Sequence, residues 1–126
     1  MRHIVYKVIP HNRQRYDTTG DFFTHKGIEH FRVSRMANER MEHLVLIHEL
    51  VERVLCYHRG ISNQDIDRFD LWFESVRAED SKTEPGDDPR APYRREHRFA
   101  TKIERLLAKE LGVSWREYGK AIARLA

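Results

Sequence analysis

The sequence predicts an α+β domain in which a small antiparallel N-terminal sheet or hairpin packs on a long helix, with further helices after it. Three observations carry this expectation. A β-branched and aromatic run opens the chain, a strand–glycine–strand pattern follows it, and later stretches place apolar residues at helical spacing. At 126 residues there is room for one core, so a single domain spanning 1–126 is expected.

Ile4-Val5-Tyr6-Lys7-Val8-Ile9 reads as a strand that stops at Pro10, which cannot donate to a ladder. Phe22-Phe23-Thr24 and Ile28 to Val33 flank His25-Lys26-Gly27, a short glycine-containing connection of the kind that joins hairpin strands. Strand alternation puts Phe31 and Val33 on one face and His30 and Arg32 on the other. Asn38 is suited to cap a helix from Glu39 to about His58 that ends at Gly60. Its expected core residues are Leu44, Ile47, Val51 and Leu55, packed with Phe31 and Val33.

Ser62 with Asp65 resembles a capping box for a second helix carrying Ile66, Phe69, Phe73 and Val76 at helical spacing. Residues 79–92 are acidic and rich in Pro and Gly, which predicts a long loop that is either a functional lid or a loose connection. A third helix begins at Pro92 or Tyr93, with Phe99, Ala100, Ile103, Leu106 and Leu107 on one stripe, and closes at Gly112. Ser114 and Glu117 form an S-x-x-E box for a last helix from Trp115 to Leu125.

Composition narrows the chemistry. No apolar run approaches the roughly 20 residues that cross a bilayer, and the start lacks the apolar stretch of a secretion signal. A cytoplasmic protein without membrane contact is the expectation. The lone cysteine, Cys56, excludes an internal disulfide and thiol-rich metal sites; it reads best as a buried small hydrophobe. Any metal must rest on imidazole and carboxylate, and eight histidines are many for this length. The charge of +3 arises from 23 Lys and Arg against 20 Asp and Glu, a near balance that permits nucleic-acid binding without implying it.

His48-Glu49-Leu50-Val51-Glu52 lies in the middle of the first helix, where about 100° per residue puts His48 and Glu52 on one face. Met41, Leu44, Val45, Val51 and Leu55 share that side. An imidazole and a carboxylate buried there need a partner or a ligand. Zinc fits both side chains, and Glu49, about 100° round the helix, is placed to act as a general base. The alternative is a satisfied polar core in which the two residues bond each other or neighbouring helices.

A third ligand is sought in Glu96-His97, early in the third helix. His97 is preferred because imidazole is the more frequent zinc ligand, with Glu96 kept as an alternative ligand or a support to one. Against this stands a plain surface histidine in the basic run Arg94-Arg95-Glu96-His97-Arg98.

Gly20-Asp21-Phe22-Phe23, then Gly27 to Ser34, then the His48 to Glu52 helix together resemble small zincin-like proteins of phages and bacterial genomes. The run from Glu84 to His97 resembles a companion segment in a group of them. The resemblance implies a minimal zincin-like fold, a small sheet beside an active-site helix, with His48 and Glu52 as zinc ligands and Glu49 as base. Glu52 replaces the usual second histidine, which adds negative charge and makes bound water less acidic.

Other acids have plainer readings. Asp67 and Asp70 are expected on a solvated face near the start of the second helix. Glu84, Asp87 and Asp88 either cover a site, contact a cationic substrate or only build a turn. Arg94, Arg95, Arg98, Lys102 and Arg105 make part of the third helix basic, although Glu96, Glu104 and Glu110 are interleaved with them.

Two functions therefore compete. The leading one is a zinc-dependent hydrolase of peptide or amide bonds with a peptide or protein substrate. The alternative is a non-catalytic, phage-associated binding module that uses the basic helix for nucleic acid or another face for a protein. The sequence carries no signal of oligomeric state.

Overall fold

The chain runs through β1 (Ile4–Ile9), β2 (Gly20–His25), β3 (Ile28–Ser34), α1 (Glu39–His58), α2 (Asn63–Val76), α3 (Arg94–Glu110) and α4 (Trp115–Ala123). Short 3-10 turns occupy His11–Arg13 and Pro85–Asp87. This computed structural model describes residues 3–79, 81 and 83–125. The architecture is α+β, with a three-stranded mixed sheet and four helices.

β2 and β3 form the expected hairpin, and Lys26 and Gly27 turn between them with φ of 51° and 76°. Two consecutive left-handed residues give a turn whose twist matches that of the strands. The sheet order is β1-β3-β2, and β1 pairs with β3 in parallel, from Ile4 opposite Glu29 to Ile9 opposite Ser34. The expectation of a wholly antiparallel sheet is corrected here. After Pro10 the chain crosses the end of the sheet and leaves a slot that β3 later fills. The Gln14 amide fastens this crossing by donating to the carbonyls of Thr19 (3.3 Å) and Arg32 (3.2 Å). His11 Nδ1 lies 2.7 Å from Ser34 Oγ.

Capping follows the sequence closely. Asn38, Ser62 and Ser114 accept from the backbone N–H groups of Arg40, Asp65 and Glu117, which satisfies donors that a helix start leaves open. Gly60 and Gly112 take φ of 72° and 69° just beyond α1 and α3, a conformation that costs other residues more.

The core forms two apolar clusters on either side of the centre of α1. Phe22, Phe31, Cys56, Ile66, Ala91 and Tyr93 make one; Val33, Leu44, Val45, Ala108 and Tyr118 make the other. Phe31, Val33 and Leu44 are fully buried as expected, whereas Ile47, Val51 and Leu55 are only half-buried. On α2, Ile66 and Phe73 are buried but Val76 is exposed.

The expected apolar stripe of α3 is rotated. Of the expected stripe Ala100 is buried and Ile103 and Leu107 are half-buried, but Phe99 and Leu106 face solvent, and the buried positions are Glu96, His97, Ala100, Glu104 and Ala108. Their spacing of three and four residues is helical, but the side chains that meet α1 are two alanines and three polar groups. Small alanines allow close approach, and two of the polar groups, His97 and Glu104, enter the site. No helix among the described residues is long and apolar enough to cross a membrane.

Leu44→Ala should cost about 2–5 kcal/mol of stability, the usual range for emptying a fully buried leucine position. Urea unfolding checks this, and a loss below about 0.5 kcal/mol would place Leu44 outside the core.

Candidate metal centre

One turn of α1 separates His48 from Glu52, so both side chains leave the same face of the helix. The first turn of α3 brings His97 against them. His48 Nε2 lies 3.1 Å from Glu52 Oε2, His97 Nδ1 lies 2.9 Å from that same oxygen, and the two nitrogens are 3.2 Å apart. All three residues are buried. Ligand atoms around a tetrahedral zinc stand about 3.3–3.5 Å apart, given zinc bonds of about 2.0–2.2 Å. The observed triangle is only slightly tighter.

The outer nitrogens of the two rings decide how the inner ones are used. His48 Nδ1 is 2.8 Å from Glu104 Oε1, and Glu104 Oε2 accepts the Tyr118 hydroxyl. A carboxylate at Nδ1 calls for an N–H there, which leaves the neutral ring with a lone pair at Nε2. His97 Nε2 faces Glu84 at 3.1 Å and Asp87 at 3.3 Å. Neither carboxylate lies in line for a hydrogen bond among the described residues. Their charge still favours the proton on Nε2 and the lone pair on Nδ1. Two lone pairs and a carboxylate oxygen thus converge on one point, a donor set that fits zinc.

Electrostatics follow from the same contacts. Burial disfavours the charged form of His48, but hydrogen bonds to Glu104 and Glu52 outweigh it and hold the ring's affinity for a proton well above the usual value. His97 is raised likewise against its burial by Asp87, Glu52 and Glu84. Burial pushes Glu52 upward, yet the two imidazoles prevail and pull it down to about 2. With both rings protonated, two cationic imidazoles would face each other across 3.2 Å. A divalent ion removes that conflict.

Glu49 occupies the next position on α1, half-buried, beside the triangle. Burial, then the charge of Glu52, raise its carboxyl well above the ordinary range. Gly20, the first residue of β2, lies so close that an added Cβ would sit 2.6 Å from Glu49 Oε1. Gly86 plays the same part at the other wall, where a Cβ would meet His97 Cγ at 2.3 Å. The acidic loop is therefore seated on the histidine, through a glycine that no larger residue can replace without moving the turn.

Glu96 is buried but stands apart from the triangle, where its Oε2 accepts from Arg59 Nη1 at 2.7 Å. Cys56 is fully buried in the apolar cluster, and burial raises its thiol to about 12, which leaves it protonated and inert. Asp67 bonds Arg15. Asp70 departs from its expected solvated face: it is buried in the cleft and accepts from the hydroxyls of Tyr16 (2.7 Å) and Tyr93. Burial pushes its carboxyl up to about 7.

Glu104, Tyr118, Gly86 and Asp70 were not singled out by sequence reasoning as parts of the site. A signal existed for Glu104 alone, which lies seven residues after His97 and so on the same face of α3.

Asp70 gives a pH-dependent stability of definite sign. Its native value near 7 exceeds the unfolded value of about 3.9, so the native state holds this proton longer. The contribution is complete below about pH 4 and is lost as pH rises to about 7. Unfolding midpoints of wild type and Asp70→Asn, compared from pH 4 to 8, should shift in favour of Asn with rising pH. A pH-independent difference would contradict the assignment.

No protein-family model, no curated protein and no solved structure matches this chain, and what the cluster does is read from its own chemistry.

Proposed function

We propose that the protein is a zincin-like zinc hydrolase of peptide or amide bonds, with His48, Glu52 and His97 as zinc ligands and Glu49 as general base. The observation that carries this reading is the convergence of His48 Nε2, His97 Nδ1 and Glu52 Oε2 within 2.9–3.2 Å, while carboxylates face the outer nitrogen of each ring. Zinc bound there would supply a Lewis acid for the scissile carbonyl and acidify water near neutral pH.

The chain's own residues supply the rest. Glu104, itself bonded by Tyr118, holds the His48 ring, while Glu84 and Asp87 face His97 Nε2 with their charge and Gly86 packs against its ring. Glu49 borders the cleft with its carboxyl raised by burial, a condition that suits a group that takes a proton from water and returns it to a leaving amine. β2 is an edge strand that begins against Glu49, so an extended peptide paired to that edge would pass the base.

Elemental analysis of protein purified without a metal-affinity tag should give about one zinc per chain, and His48→Ala should lose it. Equal metal in both after dialysis against a weak chelator would overturn the site. Glu49→Gln should keep zinc and abolish turnover of a generic peptide substrate, whereas Glu52→Gln should weaken zinc retention itself. The opposite pattern would reverse the two roles.

Glu104→Gln should weaken zinc binding by about 10–100-fold, as loss of a carboxylate behind a ligating imidazole usually does. Competition titration with a chromophoric chelator measures this directly. Unchanged affinity would show that Glu104 only fills space.

A further inference from the structure

Two of the three interleaved acids that dilute the basic run of α3 in the sequence do not share its surface, and the third, Glu110, is exposed at the C-terminal end of the helix, about 20° outside the basic arc. Glu96 is turned inward to Arg59, and Glu104 is turned inward to His48 and Tyr118. Arg95, Arg98, Lys102, Arg105 and Lys109 are all exposed. At 100° per residue they fall on one arc of roughly 120°, which they share with exposed Phe99 and Leu106 and with no acid. From residue 95 to 109 the arc extends about 21 Å.

What sets these cations apart is that one helix face gathers five of them; among the described residues Lys7, Lys26, Arg40, Arg116 and Arg124 also lack an ion pair, but they are scattered over β1, the β2–β3 turn, α1 and α4 with its C-cap. Arg15, Arg53, Arg59, Arg68, Arg77, Arg90 and Lys120 each pair with a carboxylate. Among the described residues, Arg95, Arg98, Lys102 and Lys109 have no ion pair, and Arg105 lies only over the Trp115 ring, 5.5 Å from its centroid.

We propose that this outward arc of α3 is a docking surface for the phosphate backbone of duplex DNA. The warrant is charge complementarity in both density and shape. Duplex DNA is a stiff polyanion with one charge per about 1.7 Å of axis, and the arc is a straight row of five uncompensated cations. A helix that lies on a membrane needs a broad apolar face, and here only two of the seven arc residues are apolar. The surface faces away from the zinc-binding triangle, so it works without metal.

The test is fluorescence anisotropy of a labelled 20-base-pair duplex of arbitrary sequence with the full chain in EDTA, from 50 to 200 mM salt. Five phosphate contacts predict a slope of log K against log salt of about −4.5, a loss of about 500-fold over that range. The triple variant Arg95→Gln/Arg98→Gln/Lys102→Gln should keep the wild-type melting temperature and flatten the slope to about −1.8. A wild-type slope shallower than about −2, or equal binding by wild type and variant, would overturn the proposal. Tighter retention of poly-L-glutamate or of phosphatidylserine vesicles than of the duplex would also overturn it and hand the arc to an acidic protein or a membrane. Since EDTA is present throughout, the result is independent of zinc binding.

Discussion

Burying His48 and Glu52 at the centre of α1 places a constraint on every element packed around them. Neither group can be left without partners in a low-dielectric interior, where the cost is several kcal/mol each. The side of α3 that meets α1 therefore offers His97 and Glu104 between alanines, where an ordinary helix would offer leucines. The apolar clusters lie to either side of this polar seam. α4 serves the same constraint through Tyr118, whose hydroxyl completes Glu104. The acidic loop serves it through Glu84 and Asp87 at the far edge of His97.

The sheet obeys a similar rule at its own interface with α1. Glu29 points inward from β3 on the same face as Phe31 and Val33, and Arg53 of α1 meets it through Nη2 at 2.6 Å and Nε at 3.2 Å. Burial works against ionisation of Glu29, but Arg53 and Thr24 hold its carboxyl below the usual range. α1 is thus tied to the sheet by one buried ion pair and to α3 by the triangle, with Arg53 turned about 100° round the helix from Glu52. Such ties add little net stability and penalise any docking that leaves one partner alone.

What was legible in the sequence was local. Asn38, Ser62, Ser114, Gly60 and Gly112 bound their helices because capping and left-handed backbone are properties of one or two residues. His48, Glu49 and Glu52 were legible because one helix carries them all. The parallel pairing of β1 was not, since alternation fixes which face a residue takes and says nothing about which strand lies next to it. The rotation of α3 was hidden for a related reason: a search for apolar stripes finds Phe99 and Leu106, while the packed face is polar because of its partner. Asp70 looked like a surface acid until Tyr16 and Tyr93, from distant segments, closed over it.

The separation along the chain of residues 48 and 97 bears on the order in which the molecule assembles. Helices α1 and α3 are neighbours in space, yet α2 and the acidic loop intervene, so nearly fifty residues must be looped out before they meet. Until then the centre of the inner face of α1 shows a histidine and a carboxylate to water between its apolar residues. A helix without matching side chains docked on the seam would leave buried polar groups unpaired, so the seam favours the helix that carries His97 and Glu104.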